Sequence, residues 1–163
     1  MIGVRASEVT RTRWAPIPTT QRRPPMSSTI NTMMTTYPDS MNTDRELLAD
    51  CVAACIQCAQ ACTACADSCL SEATVAELTK CIRTNLDCAD ICETTGRILS
   101  RHTGYDANIT RAVLEACLQT CQSCADECSK HADMHDHCQI CADVCRQCAD
   151  ACARVLDAIV QSK

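Results

Sequence analysis

From residue 44 onward, apolar side chains recur every three or four residues, and polar side chains fill the gaps between them. Cys51, Cys55, Cys58, Cys62, Cys65 and Cys69 step by 4, 3, 4, 3, 4. Cys117, Cys121, Cys124 and Cys128 step by 4, 3, 4, and Cys138, Cys141, Cys145, Cys148 and Cys152 by 3, 4, 3, 4. A sparser run, Leu78, Cys81, Asn85, Cys88, Cys92, Thr95, Leu99, keeps the same phase. Alternating steps of three and four mark the inward face of an α-helix, the stripe that usually carries Leu or Ile. Four helices are predicted, at about 44–70, 74–100, 106–130 and 133–160. Thr43 or Asp44 caps the first; Thr74 with Glu77 forms a capping box for the second. Asp106 or Asn108 opens the third and Asp133 the fourth, while Gly104 falls near a helix C-terminus.

Helices of this length joined by short connections pack as antiparallel neighbours. The predicted fold class is therefore all-α, an antiparallel up-down four-helix bundle with a cysteine-lined core. Segments such as Cys58–Cys62, Cys124–Cys128 and Cys148–Cys152 echo one another and suggest an internal helix-pair duplication.

Composition sharpens this picture. Cysteine makes up about 11% of the chain, a level usual in small disulfide scaffolds. Such scaffolds are loop-rich, whereas these segments are Ala-rich and all five prolines precede residue 39. Neighbours at i,i+3 and i,i+4 also sit about 5–6 Å apart, too far for a disulfide within one helix. Residues 1–43 carry five Arg against two acids, a net +3; residues 44–163 carry ten Lys/Arg against eighteen Asp/Glu, a net −8. An acidic body argues against nucleic acid as a partner. The tail, 1–43, reads as a disordered Pro/Thr/Arg-rich segment. Its twin arginine, Arg22-Arg23, precedes no apolar run, and no apolar stretch of transmembrane length is expected. A cytoplasmic protein with reduced thiols is expected.

Soft sulfur ligands select Cu(I), Zn(II) or an iron–sulfur cluster. Four thiolates leave each zinc with net charge −2, and several such sites in one dry core repel. Cu(I) at one ion per thiolate leaves the core neutral. Metal–sulfur bonds of about 2.3 Å place two sulfurs about 4.5 Å apart across a linear ion, within reach of i,i+3 and i,i+4 neighbours. All eighteen cysteines, including Cys81, Cys88 and Cys92, are candidate ligands. A buried Asn85 needs partners, supplied by sulfur or an ion; it equally suits a satisfied polar residue fixing register. Continuing the stripes, one bundle end gathers Cys69, Leu78, His131, Met134 and His135, with His137 adjacent. The other end gathers Leu48, Leu99, Leu114, Val155 and Ile159. Ions are expected to enter at the His/Met end. His102 reads as surface or capping; Met33, Met34 and Met41 read as initiation or ordinary tail usage, with a second capture site as the alternative. A zinc reservoir and a thiol redox buffer or sensor are the rival readings; no catalytic constellation is visible.

The cysteine ladders on every helix, Cys51–Cys69, Cys81–Cys92, Cys117–Cys128 and Cys138–Cys152, resemble the bacterial copper storage proteins, and the lack of an export signal resembles their cytosolic branch. The resemblance implies Cu(I) storage without enzymatic activity, a homotetramer of bundles, and ion access at a histidine-bearing end, here His131, His135 and His137. Independently, Leu47, Ile56, Leu70, Ile82, Leu86, Leu118 and Ile140 are left for outer surfaces, which suggests self-association.

Overall fold

The computed structural model describes residues 26–41 and 43–161, all helix, turn or loop, without a strand. Expectations for residues 1–25, Arg22-Arg23 among them, lie outside the described residues. Five α-helices follow in order: α1 (Met26–Thr35), α2 (Arg45–Ser71), α3 (Thr79–Leu99), α4 (Ala107–Ser129) and α5 (Asp136–Gln161). The last four form a closed ring of contacts, each touching its two neighbours and neither diagonal partner closely, while α1 packs on α2. Sulfur pairs between α2 and α5 run in opposite chain order, Cys51 with Cys152, Cys58 with Cys145 and Cys62 with Cys141.

Local chemistry sets the helix starts. Asp44 accepts from the Leu47 amide at 2.8 Å, and Asp106 from the Asn108 and Ile109 amides, closing orphan donors at α2 and α4. The capping box expected at Thr74 does not form. Val75–Glu77 is a single 3-10 turn, Thr74 makes no side-chain cap, and α3 starts only at Thr79. Leu78 at that junction is buried, so packing of its side chain overrides the local signal. The start of α5 likewise moves from Asp133 to Asp136, because the backbone first turns through 131–134. Gly104 belongs to the α3–α4 turn rather than to a helix cap, and its φ of 65° is the left-handed conformation that glycine adopts without strain.

Two expectations need correction. The first concerns the tail, which contains a helix. α1 lies between Pro25 and Pro38, with Met34 only 4% exposed and Ile30 packed partly buried against the core. Ile30, Met33 and Met34 are spaced i, i+3, i+4, an amphipathic signature that the surrounding Thr/Pro/Arg composition obscured. The second concerns α2, which is long and apolar enough to cross a membrane by length and composition, with a mean hydropathy of 1.4 over its window. That apolarity is largely thiol, and those thiols face inward, as in a core helix.

The core is two-part. Sulfur fills its length, and Leu48, Leu99, Leu114, Val155 and Ile159 close one end. Gly96 lets α3 approach α2, since a Cβ there would lie 3.4 Å from the Cys55 Cβ. Of the outward aliphatics, Leu70, Leu86 and Ile140 are exposed, and Leu47, Ile56, Ile82 and Leu118 are half-buried. Replacing Leu114, wholly buried in the plug, by alanine is expected to lower stability by about 2–5 kcal/mol in urea unfolding of the reduced protein.

Candidate metal centre

Helical phase places every cysteine inside. All eighteen are buried and none is disulfide-bonded. Their sulfurs form one continuous network. It runs from Cys51–Cys152 at 3.9 Å through Cys55–Cys117 at 4.0 Å, Cys58–Cys145 at 3.6 Å and Cys92–Cys121 at 3.4 Å to Cys81–Cys128 at 3.7 Å. Along α2, Cys51 to Cys69 covers about 27 Å at 1.5 Å per residue. Sets of four converge so that their ligand atoms lie within 4.8 Å of one another: Cys58, Cys62, Cys88 and Cys145; Cys62, Cys124, Cys141 and Cys145; Cys65, Cys69, His137 and Cys138. Sharing of Cys62 and Cys145 between sets means that a filled core must use bridging thiolates.

Spacing refines the expected coordination. A linear pair needs about 4.6 Å between sulfurs, whereas three thiolates around one ion at about 2.3 Å lie about 4 Å apart. Sulfurs in direct contact lie 3.4–4.0 Å apart and those of one four-ligand set lie within 4.8 Å, so the spacing admits three-coordinate, bridged ions as well as linear ones.

Charge is the governing constraint. Burial, and then the neighbouring charge of Cys81, pushes Cys69 up to about 11, and burial first of all raises Cys138 too. Within the cluster, hydrogen bonding with Cys121, and then with Cys145, draws Cys58 down to about 7. Cys121 and Cys145 are themselves pushed up by hydrogen bonding with their sulfur neighbours, Cys117 first for Cys121 and Cys124 first for Cys145. Isolated thiolates are thus stabilised only at the expense of adjacent protons, and the set cannot ionise together without cations.

Asn85 is completely buried and fully used. Its Nδ2 donates to the Cys81 carbonyl at 3.0 Å and to the sulfurs of Cys81, Cys65 and Cys128 at 3.4–3.6 Å. Its Oδ1 accepts from Cys141 at 3.0 Å, Cys124 at 3.3 Å and Cys128 at 3.6 Å. Of the two roles the sequence left open, this geometry supports the satisfied polar residue tying three helices to α3.

At the histidine-bearing end the three histidines divide. His137 Nδ1 lies 3.5 Å from both Cys65 and Cys138 sulfurs, and its Nε2 sits 3.2 Å from Glu72 Oε1. His135 stacks on His137 at 5.4 Å and shares Glu72 at 3.2 Å. His131 lies 3.7 Å from Glu127, and its Nε2 is buried without a hydrogen-bond partner. Met134 is 67% exposed. The residue read as merely adjacent, His137, is therefore the one that reaches sulfur: it precedes Cys138 on α5, and the packing of α5 on α2 brings Cys65 to its ring. Glu72 and Glu127 escaped the sequence reading. Glu127 is a buried carboxylate held below its usual range by Lys130 at 2.7 Å, aided by Lys80 at 3.0 Å. Its place in Cys-Ala-Asp-Glu-Cys, one step before a core cysteine, was the available hint.

Asn85→Leu keeps the volume and removes the polar atoms, whereas Asn85→Asp introduces a charge among thiols. Urea unfolding at pH 7 is expected to show Asn85→Asp as the less stable of the two. Burial raises the new carboxyl's folded pKa above its unfolded value, so the penalty shrinks as pH falls towards about 4.

A family model described as copper storage protein matches residues 44–157. The structure of the Streptomyces lividans copper storage protein Ccsp, loaded with 10 copper equivalents, is 58% identical to this chain; the match covers 79% of this chain and 98% of that one, with a TM-score of 0.78. A cytosolic copper storage protein from Streptomyces lividans with five coppers is 62% identical, covering 69% and 93%, at 0.68. Cu(I)-bound BsCsp3, from Bacillus subtilis, is 37% identical, covering 65% and 94%, at 0.57. With its thiol ladders, its closed ring of four helices and a match over most of its length, the chain belongs to the copper storage protein family.

Proposed function

We propose that this protein stores and buffers Cu(I) in the cytosol, with its eighteen core thiolates as ligands and no enzymatic activity. The observation that carries the reading is the network of buried, reduced sulfurs, grouped in sets whose ligand atoms lie within 4.8 Å of one another and sharing cysteines between sets. Bridging thiolates with one Cu(I) each give a neutral interior, which neither Zn(II) nor a sparse cluster achieves. The functional unit is residues 44–163, an up-down-up-down antiparallel four-helix bundle. Opposite chain order of the sulfur pairs between α2 and α5 supports that topology. Family relatives described as cytosolic and as copper-loaded support cargo and compartment.

Ions enter at the end bearing His131, Met134, His135 and His137, opposite the aliphatic plug. His137 performs the transfer step, since it alone of these joins imidazole to two core sulfurs while Glu72 fixes its ring. Exposed Leu70, Leu86 and Ile140 support self-association, and the family resemblance implies a homotetramer. Neither nucleic acid nor membrane is a partner in this reading: the body is acidic, and α2 spends its apolar face on the core.

Anaerobic titration against a Cu(I) chelator, followed by metal counting, is expected to give about one Cu(I) per cysteine. Saturation by four or five Zn(II), with no preference for Cu(I), would replace this reading with the zinc reservoir. Each Cu(I) displaces a thiol proton, so loading near pH 7 is expected to release about one proton per ion, and affinity is expected to fall as pH drops. His137→Ala is expected to slow loading about tenfold in stopped-flow uptake while leaving final capacity within one ion. An unchanged rate would remove His137 from the access route.

A further inference from the structure

Soft metal ligands gather a second time, away from the thiol core. A cavity of about 330 Å³ opens beside α1, with Met33, Met34, Ile30, Tyr37 and His102 in its wall. Met34 is seated on the core and Met33 is 68% exposed, so one thioether is anchored and the other reaches solvent. Behind His102 lies a smaller cavity of about 20 Å³ with Met41 and Tyr105 in its wall, so the imidazole separates two voids. Its Nε2 is buried and has no hydrogen-bond partner among the described residues. Burial lowers the pKa of His102, which keeps the ring neutral and a nitrogen lone pair available. The ring is also oriented: Tyr37 meets it edge-on at 5.2 Å, and the Tyr37 hydroxyl lies 3.3 Å from the Thr103 hydroxyl, holding the segment after α1 against the α3–α4 turn.

This arrangement has no role in the thiol network. Leu48, Leu99 and Val155 of the aliphatic plug line small voids together with His102, and the end bearing His131, His135 and His137 is the opposite one. Thioethers and a neutral imidazole are poor ligands for Mg(II) or Ca(II) and good ones for a soft monovalent ion. Being uncharged, they leave the ion its full charge in a half-open cavity, and bind it less tightly than bridging thiolates that cancel it.

We propose that Met33, Met34 and His102 form a second, weaker soft-metal site that holds one Cu(I) against α1, outside the thiol core. Such a site exchanges its ion with solvent while the core retains its own. A bound ion there ties α1 to the α3–α4 turn through His102.

The test uses the full chain, reduced and anaerobic, with ¹³C-labelled methionine methyl groups. Cu(I), which is diamagnetic, is supplied as its acetonitrile complex until the thiols are saturated, and then further. After core uptake ends, one additional ion per chain is expected to shift the Met33 and Met34 methyl resonances and the His102 Cε1–H. His102→Ala, and separately the double variant Met33→Leu with Met34→Leu, are expected to weaken that last step by about tenfold or more, with core capacity unchanged. The leucine variant preserves apolar volume, so a lost signal with an unchanged melting curve reports ligation and not unfolding. Methyl resonances that stay fixed at several-fold excess, or a shift that survives in the leucine variant, would overturn the proposal. If the thiols took no Cu(I), these shifts would instead arrive with the first equivalent, so failure of the storage reading is separately visible in thiol uptake.

Discussion

Negative charge cannot accumulate in a dry interior without cations within a few ångströms, and this one limit organises the protein. Eighteen thiols line the space enclosed by α2, α3, α4 and α5. As neutral S–H groups they pack as small apolar side chains and hold a helical scaffold together. As thiolates they would repel across 3.4–4.0 Å. Scaffold and cargo are thus linked through the proton: the same side chains serve as core when protonated and as ligands when a monovalent soft ion replaces the proton. Helix formation needs no metal for this, because Ala-rich sequence and the Asp44 and Asp106 caps already specify the helices.

The two ends of the core differ in chemistry, and that difference gives the bundle a direction. At one end aliphatic side chains exclude water and ions alike. At the other, imidazoles and carboxylates meet the last sulfurs, with Glu72 gripping both His135 and His137. Asn85 lies near this second end and interrupts the sulfur stripe of α3 with an amide. Its Nδ2 faces Cys65 and Cys81, and its Oδ1 faces Cys124 and Cys141. The donor side favours a thiolate and the acceptor side favours a protonated thiol, so a single amide polarises the layer of sulfurs around it.

Where sequence reasoning fell short, the missing information was long-range. The Thr74 capping signal is real by composition, but burial of Leu78 shifts the helix start to Thr79. His137 sits one residue before Cys138 and so off the α5 stripe; its contact with sulfur depends on how α5 packs on α2, which brings Cys65 within 3.5 Å of its Nδ1. α1 was hidden by its flanks, and it is stabilised by packing on α2, with Met34 in the core and Ile30 partly buried against it.

The residue pattern alone determined that the body is helical, that the cysteines face inward and that their cargo is soft, because helical phase and ligand chemistry are local properties of a chain. It could not determine which sulfurs meet. Sharing of Cys62 and Cys145 between four-ligand sets, the choice of His137 over His131 and His135, and the seating of α1 against His102 all depend on how separate helices rotate and slide against one another. Those offsets are settled by packing across the bundle, and packing exists only once the chain has folded.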